Sequence, residues 1–245
     1  MTLMLVPASL ALGGCVAADV SMKLAPELAA TPALPVTGRN SWTQLAFGRW
    51  HVAMAAPYER DGWKISVTPH FVPANAELSV KAERASLEFE VVAADTSGSR
   101  PASAGCLAQG SFASLTTFHG RSTDETSVAI PGYPRLDCEF AGNRAGTLAL
   151  RADFATQRDS GDAMFGADRW LVRSVNTHST QHSNVPLTRF GYEIVLGEHV
   201  VAAVETYGAG RVWIIAELSR EQQEQLSTVA AALVYYGMLL NLQDT

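Results

Sequence analysis

The chain has 245 residues, 47% of them hydrophobic and 17% charged, and a formal net charge of −6. That length holds one large domain or two small ones, and the low charge density goes with a sizeable core. An acidic balance without any Lys/Arg cluster gives no sign of a nucleic-acid binder, which needs several cations on one face.

Residues 1–14 carry no charge, and the apolar run Leu3 to Leu12 leads into Gly13-Gly14-Cys15. The run is too short to span a bilayer, which takes about 20 residues. It fits the apolar core of a signal peptide, roughly 7–15 residues long. Leu12-Gly13-Gly14-Cys15 resembles the lipobox of bacterial lipoproteins. The resemblance implies cleavage before Cys15, diacylation of its thiol and a lipid anchor outside the cytoplasm. Val16 follows in place of Asp, which implies the periplasmic face of the outer membrane in a Gram-negative cell, and otherwise the extracytoplasmic membrane surface. A secretory signal usually opens with Lys or Arg, which residues 1–14 lack. Either translation starts upstream, or the stretch is an Ala/Leu-rich terminus with a chance cysteine.

Residues 15–40 then read as a tether. Pro26, Pro32 and Pro35 interrupt them and no apolar period is sustained, so little surface is available to offset the entropy of ordering. A short helix from Asp19 to Leu28 is compatible with the composition. Residues 41–245 show no internal repeat and no strong linker, which favours a single β-rich domain.

If Cys15 carries lipid, Cys106 and Cys138 remain as an even pair in an oxidising compartment and are expected to form a disulfide. Two buried free thiols are the alternative. Without CxxC spacing a zinc site is not expected.

Alternation of apolar and polar residues marks half-buried strands at Trp63–Val67 and Leu87–Val91. Further strands are expected at Trp50–Met54, Leu78–Ala82, Ser111–Thr117, Thr126–Ile130, Leu136–Phe140 and Thr147–Phe154. The series continues with Trp170–Val175, Arg189–Leu196, Val200–Glu205 and Arg211–Ala216. Leu78–Glu83 also permits helix. Turns are expected at Asp61-Gly62, Ser97-Gly98, Pro131–Pro134, Gly142-Asn143, Gly197-Glu198 and Gly208–Gly210. Gly197 opens a two-residue hairpin loop.

The C-terminus changes character. Ser219 and Gln222 have the spacing of a capping box ahead of a helix over 220–241. Val229–Leu240 is apolar on every side, so that half of the helix is either enclosed by the sheet or membrane-associated. About twelve short strands with a buried terminal helix predict an antiparallel β-barrel or β-sandwich. A hairpin, a strand containing Val212-Trp213-Ile214 and a hydrophobic last helix, over 189–242, resemble the end of tubby/scramblase-like domains. That resemblance implies a closed barrel of about twelve strands around the helix, and no catalytic constellation.

Motifs with chemistry are sparse: no HExxH, P-loop, GxGxxG, G-x-S-x-G or EF-hand loop occurs. His178 and His182 lie in a Ser/Thr/Asn-rich stretch, where polar loop histidines are expected and a metal site is not. His119, Ser122 and Asp124 are close in sequence, but a hydrolase site is matched by geometry. Glu88 and Glu90 read as the wet face of a strand. Trp42, Trp50 and Trp63 could stack a sugar, yet Trp50 and Trp63 hold core-compatible positions. No catalytic residue, cofactor or metal is expected. The function expected is a non-enzymatic envelope lipoprotein: a structural or assembly component, or a module for a lipid, glycan or protein. A secreted hydrolase with a dispersed site is the alternative.

Overall fold

In the computed structural model the described residues are 21–39, 43–55, 59–67, 76–95, 101–119, 122–129, 135–142, 145–153, 158–177 and 190–241. Chain order gives β1 (Leu34–Pro35), β2 (Gln44–Phe47), β3 (Trp50–Met54), β4 (Glu59–Val67), β5 (Ala76–Ala93), β6 (Ala102–His119) and β7 (Ser122–Ala129). There follow β8 (Arg135–Ala141), β9 (Gly146–Asp153), β10 (Arg158–Phe165), β11 (Asp168–Val175), β12 (Gly191–Leu196), β13 (His199–Glu205), β14 (Arg211–Ile214) and the helix α1 (Arg220–Asn241).

Twelve strands run antiparallel in the order β1-β14-β13-β12-β11-β10-β9-β8-β6-β5-β3-β2. The two ends of that series meet. Thr37, just past β1, exchanges backbone hydrogen bonds with Ala46 of β2, at 2.8 and 3.1 Å. The sheet is therefore a nearly closed barrel rather than a sandwich, and closure leaves few unpaired strand edges.

The helix fills the barrel. Leu226 and Val229 through Tyr235 are fully buried, packed against Phe47, Phe89, Leu136, Phe165, Trp170 and Ile194 of the wall. The Phe89 and Tyr235 rings lie 5.3 Å apart. An all-round apolar helix needs an all-round apolar lining, and the inward residues of alternating strands such as β8 and β11 supply it. The expected capping box forms: the Ser219 N–H donates to Gln222 Oε1 at 3.0 Å, and the Gln222 N–H donates to Ser219 Oγ at 3.2 Å.

Three differences from the sequence reading stand out. The expected tether is packed chain over its described part, 21–39. Met22 and Leu28 are buried with Phe190, Val195, Val200, Ala203 and Trp213 on the outer side of β12–β14, and Val36 joins the barrel core. This strap covers the outer side of β12 and β13, which are therefore buried nearly end to end rather than on alternate residues. Second, Asp61-Gly62 is no turn: both lie inside β4, opposite Arg84 and Glu83. Third, Leu78–Ala82 and Leu87–Val91 belong to one strand, β5, of 18 residues.

β5 and β6 outrun the barrel. Over the barrel they are flanked by β3 and β8; beyond it β4 and β7 take over as flanks, giving a four-stranded extension β4-β5-β6-β7. Among the described elements, β4 packs on β5 and β7 on β6, with no more than marginal contact elsewhere.

Candidate functional site

Strand directions decide which groups share an end of the barrel. The extension leaves from the end where β5 begins. Antiparallel order puts the ends of β11 and β13 and the starts of β10, β12 and β14 at that same end. Two buried polar clusters sit there. Asp159 of β10, buried, accepts from the Tyr192 hydroxyl at 2.9 Å, while its own N–H donates to Ser174 Oγ at 2.9 Å. Glu205 of β13 is 2% exposed and accepts from the Met22 N–H at 2.6 Å and from Arg211 Nε at 2.6 Å. Arg39 donates to the carbonyls of Thr206 and Gly208. Burial lowers the Arg39 pKa, and Glu205 opposes that shift.

These clusters are built to hold the chain. Burying a carboxylate costs several kcal/mol unless it is paired and hydrogen-bonded, on the order estimated for buried ions. Glu205 meets the condition with one charged and one backbone partner, and thereby pins the strap to the barrel end. Asp159 meets it with a phenol. Among the described residues, neither has a histidine beside it.

Two of the open concavities among the described residues lie on the outer wall. One, of about 520 Å³, centres on Gly105, whose missing side chain leaves a gap between Glu88 and Glu139 on the flanking strands. The other, of about 310 Å³, is lined by Gln44, Ala46, His51, Ala53, Glu90 and Val92. His51 and His199 are exposed, and among the described residues neither is paired with a carboxylate. No described group of three His, Cys, Asp or Glu side chains could hold a metal ion. No described helix is long and apolar enough to cross a membrane.

Cys106 and Cys138 form the expected disulfide, directly across β6 and β8 with their Cα atoms 4.0 Å apart, and both are buried. The loop it closes contains the outer half of β6 and all of β7. The bridge thus clasps the barrel wall at the root of the extension. Glu88 and Glu90 lie on the wet outer face of β5 as expected, and Trp50 is a core residue. Register sets His119 opposite Ser122, and Asp124 opposite Thr117, at the far end of the extension. Such a placement follows from the hairpin alone. Cys15, Trp42, His178 and His182 lie outside the described residues.

The sequence reading missed Asp159 and Glu205. Glu205 ends an apolar run, a position that resembles any strand terminus. Asp159 sits in β10, which was not anticipated because Arg158–Phe165 has little alternation. No family model, curated protein or solved structure matches the chain.

Proposed function

We propose that the chain is a lipid-anchored protein of the bacterial cell envelope, held by acylated Cys15 on the periplasmic face of the outer membrane or the equivalent extracytoplasmic surface. Its barrel is a non-enzymatic module that carries a binding or assembly surface. The observation that carries this reading is the lipobox-like Leu12-Gly13-Gly14-Cys15, which lies a few residues before Met22, itself packed on the barrel. The buried Cys106–Cys138 disulfide supports an oxidising compartment. With α1 filling the barrel, the surfaces available to a partner are external. A terminal helix enclosed by twelve strands also supports the tubby/scramblase-like grouping, which we propose for architecture alone.

Palmitate labelling with cell fractionation tests the anchor. Wild type should take up label and sediment with membranes. Cys15→Ser should lose the label, and either leave the membrane fraction or remain unprocessed. Identical labelling and fractionation of the two would overturn the reading.

A further inference from the structure

The barrel surface is charged on one side and nearly uncharged on the other. On the wall from β5 to β11 in strand order, the exposed side chains include Arg84, Glu88, Glu139, Arg151, Arg169 and Arg173. On β12–β14 the strap covers the wall, and its own exposed residues include Pro26, Ala29, Ala30, Pro32, Ala33 and Pro35. From Leu28 to Gly38 no residue is charged. Lys23 and Glu27 are the exposed charges of the strap, and Glu198 and Glu217 are exposed past the far ends of the strands it covers. In strand order β13 lies half-way round the barrel from β6, so the two surfaces look in opposite directions.

The strap leaves and rejoins the wall at one turn. Glu205 accepts from its Met22 N–H, and its Val36 N–H donates to the Gly210 carbonyl at 3.1 Å, at the two ends of the β13–β14 connection. Arg39 donates to the Thr206 carbonyl at 2.7 Å and to that of Gly208, which fixes the connection between them. Gly210 leaves room for this: a Cβ there would fall 2.9 Å from Arg39 Nη1. The fixed turn presents Tyr207, 42% exposed and the most exposed large apolar side chain among the described residues. Its ring packs edge-on against Phe190, 5.3 Å away, which is buried with Met22 under the strap. An ordered, half-wet tyrosine beside apolar surface suits the headgroup level of a bilayer. The chain ahead of the strap limits what this side can meet. Seven residue steps separate Cys15 from Met22, a reach of at most about 25 Å. The seven residues of β13 span roughly 20 Å at the rise of a strand. A lipid on Cys15 thus holds the strap side within about one wall height of the bilayer. On so short a leash a weak contact is intramolecular and needs little affinity of its own. Seating the charged wall there would cost desolvation that the uncharged strap face does not incur.

We propose that the strap side of the barrel, with Tyr207 at its turn, lies against the lipid surface that holds the anchor. The concavity at Gly105 and the extension built on β5 and β6 then face away from the membrane, where a partner reaches them. This rests on the lipoprotein reading.

Acylated full-length chains, each with a dye on one introduced cysteine, are reconstituted in vesicles of phosphatidylethanolamine and phosphatidylglycerol that include brominated phospholipid. Ala30→Cys reports on the strap, Ala209→Cys on the Tyr207 turn and Ser86→Cys on the charged wall; all three positions are exposed. Brominated lipid should quench the dyes at 30 and 209 at least threefold more than the dye at 86, and aqueous iodide should do the reverse. Tyr207→Ser should cut lipid quenching at 209 at least twofold while leaving the melting transition in place. Equal quenching at the three positions, stronger quenching at 86, or indifference of position 209 to Tyr207→Ser would overturn the proposal. So would a concentration-dependent dimer that shields position 30 from iodide without vesicles, since a second copy would then cover the strap. Wild type that takes up no palmitate would overturn the anchor, and this proposal with it. Palmitate uptake with equal quenching would overturn this proposal alone.

Discussion

β5 runs through both the barrel and its extension, yet its apolar residues change phase in the sequence between the two, from Leu78 and Val80 to Leu87 and Phe89. Leu87 on β5 is 1% exposed and meets the enclosed helix. Seven residues earlier, Val80 pairs with Ile65 of β4 and Ala113 of β6, in the extension. The contrast teaches that a strand's periodicity encodes its neighbours. In β5 the phase change falls where β4 takes over from β3 as the neighbouring strand.

The sharpest way to break the comparison is to place one charge in each region. Leu87→Asp or Leu233→Asp would bury an unpaired carboxylate, at a cost of several kcal/mol. That rivals the roughly 5–15 kcal/mol stability of a whole domain. Either variant should be insoluble or melt without cooperativity by circular dichroism, and a chain ending at Ser219 should fare the same. Val80→Asp should leave the barrel's melting transition within a few degrees of wild type. If truncation at Ser219 leaves the melting temperature unchanged, the helix is an appendage and the filled-barrel account fails.

Next in size is the bridge between the two regions. Closing the loop from Cys106 to Cys138 restricts the unfolded chain, worth about 3–4 kcal/mol on the chain-entropy model. Cys106→Ala with Cys138→Ala should lower the denaturation midpoint accordingly. The loss should be seen in the barrel transition, because the cysteines are core residues.

Two smaller effects probe how tightly the helix is held. Ser219→Ala removes the cap of α1 and should cost about 1 kcal/mol in chemical denaturation. Burial raises the Tyr235 pKa from 10.0 to about 12. The sign follows directly: the folded state keeps this phenol neutral where the unfolded chain ionises. Its contribution is intact below pH 10 and is lost as pH rises through about 12. A spectrophotometric titration should show tyrosine ionisation extending to about pH 12, and Tyr235→Phe should reduce that late amplitude.

Much of the barrel was legible. Trp50–Met54 and Leu136–Phe140 alternate as half-buried strands, and both are β-strands. The all-round apolar Val229–Leu240 demanded enclosure and has it. The extension was illegible as such because its phase change looks like a break between two strands. β10 was hidden by Gly161, which reads as a turn residue. In the fold it is a close approach, where a Cβ would fall 1.8 Å from the Ala149 carbonyl oxygen. The strap was hidden because Met22, Leu28 and Val36 recur with no helical or strand period, and their burial depends wholly on the wall they cross. Of the site, the disulfide followed from cysteine arithmetic, but which end of the barrel faces what required the topology.

Hydrogen exchange tests the contrast between the two regions in one experiment. The account predicts that the amides of 225–239 exchange only through global unfolding. It predicts faster exchange, through local opening, for 63–67, 76–83 and 111–119. Extension amides that exchange as slowly as those of the enclosed helix would contradict it.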